Sequence, residues 1–440
     1  MRNRSYKPRG VAVPQSRLSR LARFGGMATG VAGGMALQGA QQLASGKRPS
    51  MSDLLLTPAN ARRVTNQLAQ MRGAAMKVGQ LMSMEAGDFL PSELGDILSR
   101  LRADADYMPS RQLKQVLIEN WGADFLKRFE RFDTEPLAAA SIGQVHRAQT
   151  RDGRDLAIKV QYPGVRRSID SDVDNVASLI RLSGLLPTEL DISPLLSEAK
   201  RQLHEEADYA REGRYLARFG ALLRDDPNFH VPELHADLTT ETLLAMSFVR
   251  GKAIETLESA PQRTRDHVVT LLVQLMLREL FEFRLMQTDP NFANYRFDEA
   301  SERVVLLDFG AAREIPQHIS DQYRELLRTG MSGDTEALRA AAIDIGFFAA
   351  DTKPRHQAQV MAMFEMAMEP LRQEGPFDFA TTDVPARLRD AGMEMSRERD
   401  FWHIPPPDTL FIQRKIGGIF LLAARLRARL DMRPKLQRYL

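Results

Sequence analysis

No cysteine occurs among the 440 residues, which excludes a disulfide scaffold, a cysteine nucleophile and a thiolate metal site. Long apolar runs are missing too. Gly25 to Ala40 is short, poor in Leu, Ile and Phe and interrupted by glycines, and Ile416 to Ala424 stops at Arg425. A membrane-spanning helix needs about 20 consecutive apolar residues, so none is predicted, and a soluble or peripheral protein is expected. Acid is absent from residues 1–50, which hold nine Lys or Arg; with a net charge of +3 for the whole chain, the remainder carries −6. A basic, Gly/Ala-rich arm of this kind suits an anionic membrane surface or a nucleic acid. The body carries no recognisable nucleic-acid module, so the membrane is the expected partner.

The arm also lacks the long apolar core and cleavage site of a secretory signal. Arg-rich and acid-poor, Met1 to Phe24 leaves a mitochondrial transit peptide open. The expected location is the bacterial cytoplasm, peripheral to the inner membrane, with the mitochondrial matrix as the alternative. Gly26, Gly30 and Gly34 form a G-x-x-x-G-x-x-x-G series that permits close helix contact, which keeps a homodimer open beside a flexible linker.

What is present is enough apolar sequence, 43%, to bury a sizeable core in two or three lobes. Val64, Leu68, Met71, Ala75, Val78 and Met82 recur at spacings of three and four, one apolar helical face. The segment Ser141 to Gln161 reads as two strands joined at Arg151-Asp152-Gly153-Arg154, where Asp-Gly is a strong hairpin signal. In its second strand Leu156, Ile158 and Val160 point one way and Ala157 and Lys159 the other. A helical pattern is predicted from about Ser193 to Leu222 and a buried strand from Leu243 to Val249. Helix dominates from Pro261 onward, apart from a strand at Arg303 to Leu307. The boundaries that follow are an arm at 1–50, a helical extension at 51–130, a small β-containing lobe at 131–250 and a helical lobe at 251–440. The fold class is α+β, with the two-lobe layout of a protein kinase and an added N-terminal helical segment.

Moving or hydrolysing a γ-phosphate requires positioning and charge neutralisation more than covalent chemistry. A site needs a lysine on the phosphates, hard oxygen ligands on magnesium, and a group to orient the nucleophile. Lys159 stands in "DLAIKV", a strand setting in which a kinase lysine reaches the α- and β-phosphates; alone, it reads more readily as an exposed strand lysine. Asp289 and Asn294 in "QTDPNFAN" keep the five-residue offset of a kinase catalytic loop, and Asp308 opens "DFG" fourteen residues after Asn294. The ordered set is far more specific than any member. Magnesium takes one or two protein carboxylates and keeps several waters, which suits Asn294 and Asp308.

A glutamate to hold the strand lysine has four acidic neighbours to choose from in "LHEEADYAREGRYLARF": Glu205, Glu206, Asp208 and Glu212. On one continuous helix Glu205, Asp208 and Glu212 would share a face, a repulsive arrangement unless a cation sits among them. The expected G-x-G-x-x-G phosphate loop is absent. In its place "PLAAASIGQVHRA" sets Ala138, Ala139, Ala140 and Ser141 before Gly143, and the alanine Cβ restricts the close approach of backbone N–H groups to phosphate that glycine allows. Adenine would be read by the hinge "AMSFVRG" around Met246 and Phe248, where backbone groups normally do the reading.

The segments "AAMKVGQLM", "LAAASIGQVHRA", "LAIKVQYPGV", "EADYAREGRY", "QTDPNFAN" and "LLDFG", in this order over roughly residues 15 to 430, resemble the UbiB (AarF-like) atypical kinases. The "QTDPN" form is similar to the mitochondrial ubiquinone-biosynthesis members and their bacterial relatives; Gln287 stands where ordinary kinase loops have His. The resemblance implies that Lys77 and Gln80 are a K-x-G-Q pair on a helix covering the active site, and that Glu206 and Asp208 are an E-x-D pair. It makes Glu212 the partner of Lys159, Asp289 the catalytic-loop aspartate, and Asn294 and Asp308 the magnesium ligands. The function it implies is magnesium-dependent ATP or ADP binding with ATPase activity, in support of prenylated-quinone biosynthesis. Quinone lipids and quinone-pathway proteins would be the partners. A small-molecule or lipid phosphotransferase and a nucleotide-gated, non-enzymatic scaffold are the alternatives.

Overall fold

The computed structural model describes residues 107–140, 142–182, 192–397 and 405–440. They fall into two compact units, 107–213 with 234–248, and 214–233 with 249–440. The basic arm, the apolar face from Val64 to Met82, Lys77, Gln80 and Ser141 lie outside the described residues.

The first unit is built on an antiparallel sheet in the order Phe129–Phe132, Gly143–Thr150, Asp155–Gln161, Leu243–Ser247, with the short strand Ala138–Ala139 also pairing Gly143–Thr150. The predicted hairpin forms with Gln144 opposite Val160 and Val145 opposite Lys159. Its turn works because Gly153 takes a φ of +91°, a conformation that a Cβ disfavours, while Thr150 and Arg154 close it by backbone hydrogen bonds. Alternation then does the rest. Leu156, Ile158 and Val160 are fully buried, where they join Trp121, Phe125 and Phe129 below the helix Ser110–Trp121. Each such side chain contributes about 1.5–3 kcal/mol by leaving water. The Trp121 indole N–H is not left unpaired: it donates to the Leu238 carbonyl at 3.0 Å.

The second unit has the helix Gln262–Arg278 at its centre, with Val268, Leu272, Leu275 and Met276 among its buried residues. The helix widens into a π-helical turn, Glu279–Phe283, which Arg284 ends in the left-handed conformation. Beside it lies a four-stranded sheet in the order Phe229–His230, Arg303–Leu306, Tyr295–Asp298, Lys252–Ala253. The strand Leu285–Gln287 pairs with Ala312–Glu314, so that the segments "TDPNFAN" and "DFG" are both bracketed by paired strands. Helices Gln317–Ser332, Thr335–Ile345, Pro354–Arg372, Val384–Arg397 and Pro407–Arg425 complete the unit.

Two expectations need correction. The predicted helix from Ser193 to Leu222 is two helices, Ser193–Glu206 and Tyr209–Leu222, broken at Ala207 and Asp208. Asp208 is the cause, for its carboxylate accepts the backbone N–H of Arg211 at 2.8 Å and so caps the second helix, a position that aspartate prefers to a helix interior. The helical reading from Pro261 onward also misses the strands Leu285–Gln287, Tyr295–Asp298, Ala312–Glu314, Phe377–Asp378 and Arg429–Leu430. At two to four residues each, they are too short to show alternation; Tyr295–Asp298 forms a hairpin with Arg303–Leu306, while the others exist because partners more distant in sequence pair with them.

Candidate active site

In the first unit Lys159 sits mid-strand, between Val145 on one neighbour and Leu244 on the other. It is not an exposed strand lysine: only 8% of the residue is accessible. Its Nζ donates to both carboxylate oxygens of Glu212 at 2.9 Å, and it lies 5.0 Å from the centre of the Tyr209 ring. Glu212 is 1% exposed and stands in the first turn of the helix Tyr209–Leu222, where the helix dipole favours a carboxylate. The Asp208 cap therefore does more than end a helix. It fixes the start of the one that presents Glu212.

The other acidic neighbours are occupied elsewhere. Glu205 pairs with Arg201 at 2.6 Å and has Arg211 at 3.7 Å, so cations relieve the anticipated repulsion. Glu206 closes its helix half-buried, and Asp208 is the cap.

The alanine segment is a short strand and turn. Ala138 and Ala139 are exposed and pair with Val145 and Gln144, while the Ala140 N–H donates to the Gly143 carbonyl at 2.8 Å. That amide is spent inside the turn, in contrast with the outward amides of a glycine-rich phosphate loop. Gly143 is required for a different reason. A Cβ there would lie 2.5 Å from the Val160 carbonyl oxygen and 2.6 Å from the Tyr209 hydroxyl, so glycine lets the strand pack onto the neighbourhood of Lys159.

At the anticipated hinge, Met246 is buried and paired with Ala157, and the Phe248 N–H donates to the Asp155 carbonyl at 2.8 Å. The Arg147 guanidinium covers the Phe248 ring at 4.2 Å. With the Phe248 amide committed to the sheet, Phe248 can offer a nucleobase its carbonyl but not its N–H.

In the second unit the loop following Leu285–Gln287 brings Asp289 and Asn294 together. Asn294 Nδ2 donates to Asp289 Oδ2 at 3.1 Å and to the Asp289 carbonyl at 3.3 Å, which leaves the Asn294 amide oxygen for a cation. The Asn294 carbonyl accepts the Leu307 N–H at 3.0 Å, tying this loop to the residue before Asp308. Asp308 Oδ1 accepts the Gly310 N–H at 2.9 Å, and Phe309 is buried 4.9 Å from Phe219. Among the described residues no group of three or more His, Cys, Asp or Glu side chains could cage a metal. The oxygens of Asn294 and Asp308 instead form the sparse, hard donor set that fits magnesium carried in with phosphate oxygens and water.

Sequence reasoning missed what supports this loop. From the helix Pro407–Arg425, Arg414 Nη2 donates to Asp289 Oδ1 at 3.0 Å. The next residue, Lys415, is almost fully buried, 2.9 Å from the Tyr295 hydroxyl, 3.2 Å from Glu279 Oε2 and 3.4 Å from Gln287 Oε1. Burial disfavours the charged Lys415 ammonium, but the Glu279 carboxylate and Tyr295 beside it outweigh that and raise its pKa. Farther along the helix, a Cβ on Gly418 would stand 2.1 Å from Pro290 Cβ. A cavity of about 10 Å³, lined by Glu279, Gln287, Asn294, Asp308 and Lys415 among others, lies under the loop and is large enough for one water at most. The one available signal was "QRKIGGIFLLAA", an Arg-Lys pair and a Gly pair set into an otherwise apolar helix.

Among the described residues no helix is long and apolar enough to cross a membrane. Residues 100–342 match the ABC1 atypical kinase-like domain. The chain is 38% identical over 420 residues to the mitochondrial atypical kinase COQ8 of Saccharomyces cerevisiae, covering 95% of this chain and 83% of that protein. It is likewise 38% identical over 428 residues to the mitochondrial atypical kinase COQ8B of Rattus norvegicus, covering 97% and 80%. The solved structure of Rv3197 with erythromycin from Mycobacterium tuberculosis shares the fold, with a TM-score of 0.61 at 23% identity over 86% of this chain and 96% of that one. This chain's own atypical kinase-like domain implies a nucleotide bound with a metal ion. The chain belongs to the ABC1 atypical kinase-like family, the UbiB and COQ8 group of kinase-type enzymes.

Proposed function

We propose that the protein binds ATP or ADP with magnesium and hydrolyses ATP slowly, in support of ubiquinone or a related prenylated quinone. The observation that carries this reading is the pairing of Lys159 with both oxygens of Glu212, because a buried lysine held this way in a strand is oriented as a phosphate ligand. Lys159 takes the α- and β-phosphates, Asn294 and Asp308 hold the metal, and Asp289 orients the attacking oxygen. Magnesium, when bound, supplies charge neutralisation at the β- and γ-phosphates. Lys77 and Gln80 are assigned to a helix that covers the site, and Glu206 and Asp208 to the E-x-D pair. The lobes assigned to these roles are 131–250 and 251–440, with the extension at 51–130.

ATP hydrolysis is put ahead of transfer by the family resemblance; the Ala140 amide, consumed within its own turn, is one backbone donor fewer for the phosphates in either reaction. Nucleotide titration followed by thermal unfolding tests the assignment. Wild type should be stabilised by magnesium nucleotide, and Lys159→Ala and Asp308→Asn should fold yet lose that shift. Undiminished shifts in both variants would sink it. Phosphate release with and without anionic liposomes separates an ATPase from a scaffold, and a search for labelled product from γ-labelled ATP separates it from a small-molecule or lipid phosphotransferase.

The relatives carry mitochondrial names, which supports a matrix location for chains of this kind; a bacterial chain would work at the cytoplasmic face of the inner membrane. In either case the basic arm faces an anionic bilayer, each of Arg2, Arg4, Lys7, Arg9, Arg17, Arg20 and Arg23 adding about 1 kcal/mol of salt-sensitive attraction. Removing residues 1–24 should therefore lower pelleting with anionic liposomes.

A further inference from the structure

The loop Gln287 to Asn294 contains no lysine or arginine. Phosphoryl transfer spreads negative charge over the γ-phosphate oxygens, and the site that handles it gains most from a positive group placed there in advance. Among the described residues, Arg414 is a cation that the second unit brings directly to Asp289. Its side chain is 11% exposed, and its guanidinium lies 3.0 Å from Asp289 Oδ1. The other oxygen, Oδ2, is taken by Asn294 at 3.1 Å. Both oxygens of the aspartate that should receive a proton are thus engaged, one by a metal-ligand candidate and one by an arginine.

The neighbouring contacts hold Arg414 at that place. Lys415 is anchored to Glu279, Tyr295 and Gln287, and Gly418 lets Pro290 pack directly on the helix backbone. Glycine weakens a helix interior relative to alanine, and close approach to Pro290 is what its presence here secures. The helix is registered against the loop on both sides of Asp289, at Gln287 and at Pro290.

We propose that Arg414 is an arginine finger supplied in cis, resting on Asp289 and passing to the γ-phosphate when ATP is bound. The inference rests on the nucleotide reading above and names the group that completes it. When the guanidinium moves to the γ-phosphate oxygens, Asp289 Oδ1 is released at the moment a substrate is present. A water oxygen then forms the new bond to the γ-phosphorus. The bond from that phosphorus to the βγ-bridging oxygen breaks, its electron pair leaving with ADP. The water proton goes to Asp289 Oδ1 and from there to solvent. Without ATP, the arginine returns to the aspartate, so the base is masked whenever there is nothing to hydrolyse.

The test is steady-state phosphate release by the full-length chain as wild type, Arg414→Lys and Arg414→Ala, with direct titration of Mg–ADP and of Mg–ADP with aluminium fluoride, a mimic of the transferring phosphoryl group. Expected are a fall in kcat of about 10³-fold for Arg414→Ala, a KM for ATP within threefold of wild type, and unchanged Mg–ADP affinity. Tight binding of the aluminium fluoride complex should be lost, and millimolar guanidinium should restore part of the Arg414→Ala turnover. Turnover that survives the substitution, or rises, would overturn the proposal, the rise marking Arg414 as a lock on Asp289. A parallel loss of Mg–ADP affinity and melting temperature without guanidinium rescue would also overturn it, leaving Arg414 a structural residue. If wild type binds neither ADP nor ATP, the nucleotide reading itself falls and this inference falls with it, an outcome distinct from the other two.

Discussion

Lys159 and Lys415 are each buried against a glutamate, Glu212 at 2.9 Å in the first unit and Glu279 at 3.2 Å in the second, yet their surroundings differ. Lys159 meets its carboxylate symmetrically, beside an aromatic face and a strand that only Gly143 allows so near. Lys415 reaches three separate groups, a carboxylate, a phenol and an amide, and its side chain is 2% exposed against 10% for Lys159. A lysine surrounded by a carboxylate, a phenol and an amide is a fastener, whereas one gripped by both oxygens of one carboxylate is aligned with it. Burial and ion pairing alone would have made the two look alike.

The largest effect expected from this contrast is on stability. Lys415→Met leaves the Glu279 charge buried and uncompensated, and should cost about 3–5 kcal/mol. Most of that should return in the double variant Lys415→Met, Glu279→Leu. Lys159→Met should cost less while removing the response to magnesium nucleotide. Equal losses in urea unfolding for the two lysines would erase the distinction. Next comes the helix that carries Lys415, whose adjacent glycines should respond with opposite signs. Gly418→Ala drives a Cβ into Pro290 and should destabilise by about 1–3 kcal/mol, with lower turnover. Gly417→Ala meets nothing within 4 Å and should stabilise by about 0.5–1 kcal/mol. A common sign for the pair would show that helix propensity, not contact with the loop, governs both.

The smallest effect concerns pH. In the first unit, burial lowers the pKa of His146 from its ordinary 6.5, against the opposing pull of the Asp133 carbonyl. The unfolded chain then binds a proton that the folded one refuses, so stability is complete above pH 6.5 and declines as pH falls below it. His146→Gln should flatten that slope between pH 5 and 6.5, as read from urea unfolding at a series of pH values.

What could be read from sequence follows the same division. The hairpin, the placement of Leu156, Ile158 and Val160 in the core, and the spacing of Asp289, Asn294 and Asp308 are local patterns, and local patterns announce themselves. The break at Asp208 was also local, but four acidic residues in a helical pattern obscured a capping aspartate. Arg414, Lys415 and Glu279 were not legible because their meaning is a contact across more than a hundred residues. A lysine in an apolar helix gives no hint of which distant carboxylate it will meet. The short strands Leu285–Gln287 and Ala312–Glu314 were hidden for the same reason, since each is a strand only in the presence of the other.

The separation of Arg414 from Asp289 by 125 residues has a consequence for biosynthesis. At about 5–20 residues per second, a ribosome completes the loop bearing Asp289 roughly 6–25 s before it adds the arginine. For that interval the nascent chain carries the aspartate and both metal-ligand candidates but not the helix that registers them. Any chain truncated ahead of residue 414 stays in that condition. If Arg414 plays the proposed part, phosphate chemistry is reserved for finished molecules, and a prematurely terminated product should accumulate as a silent species.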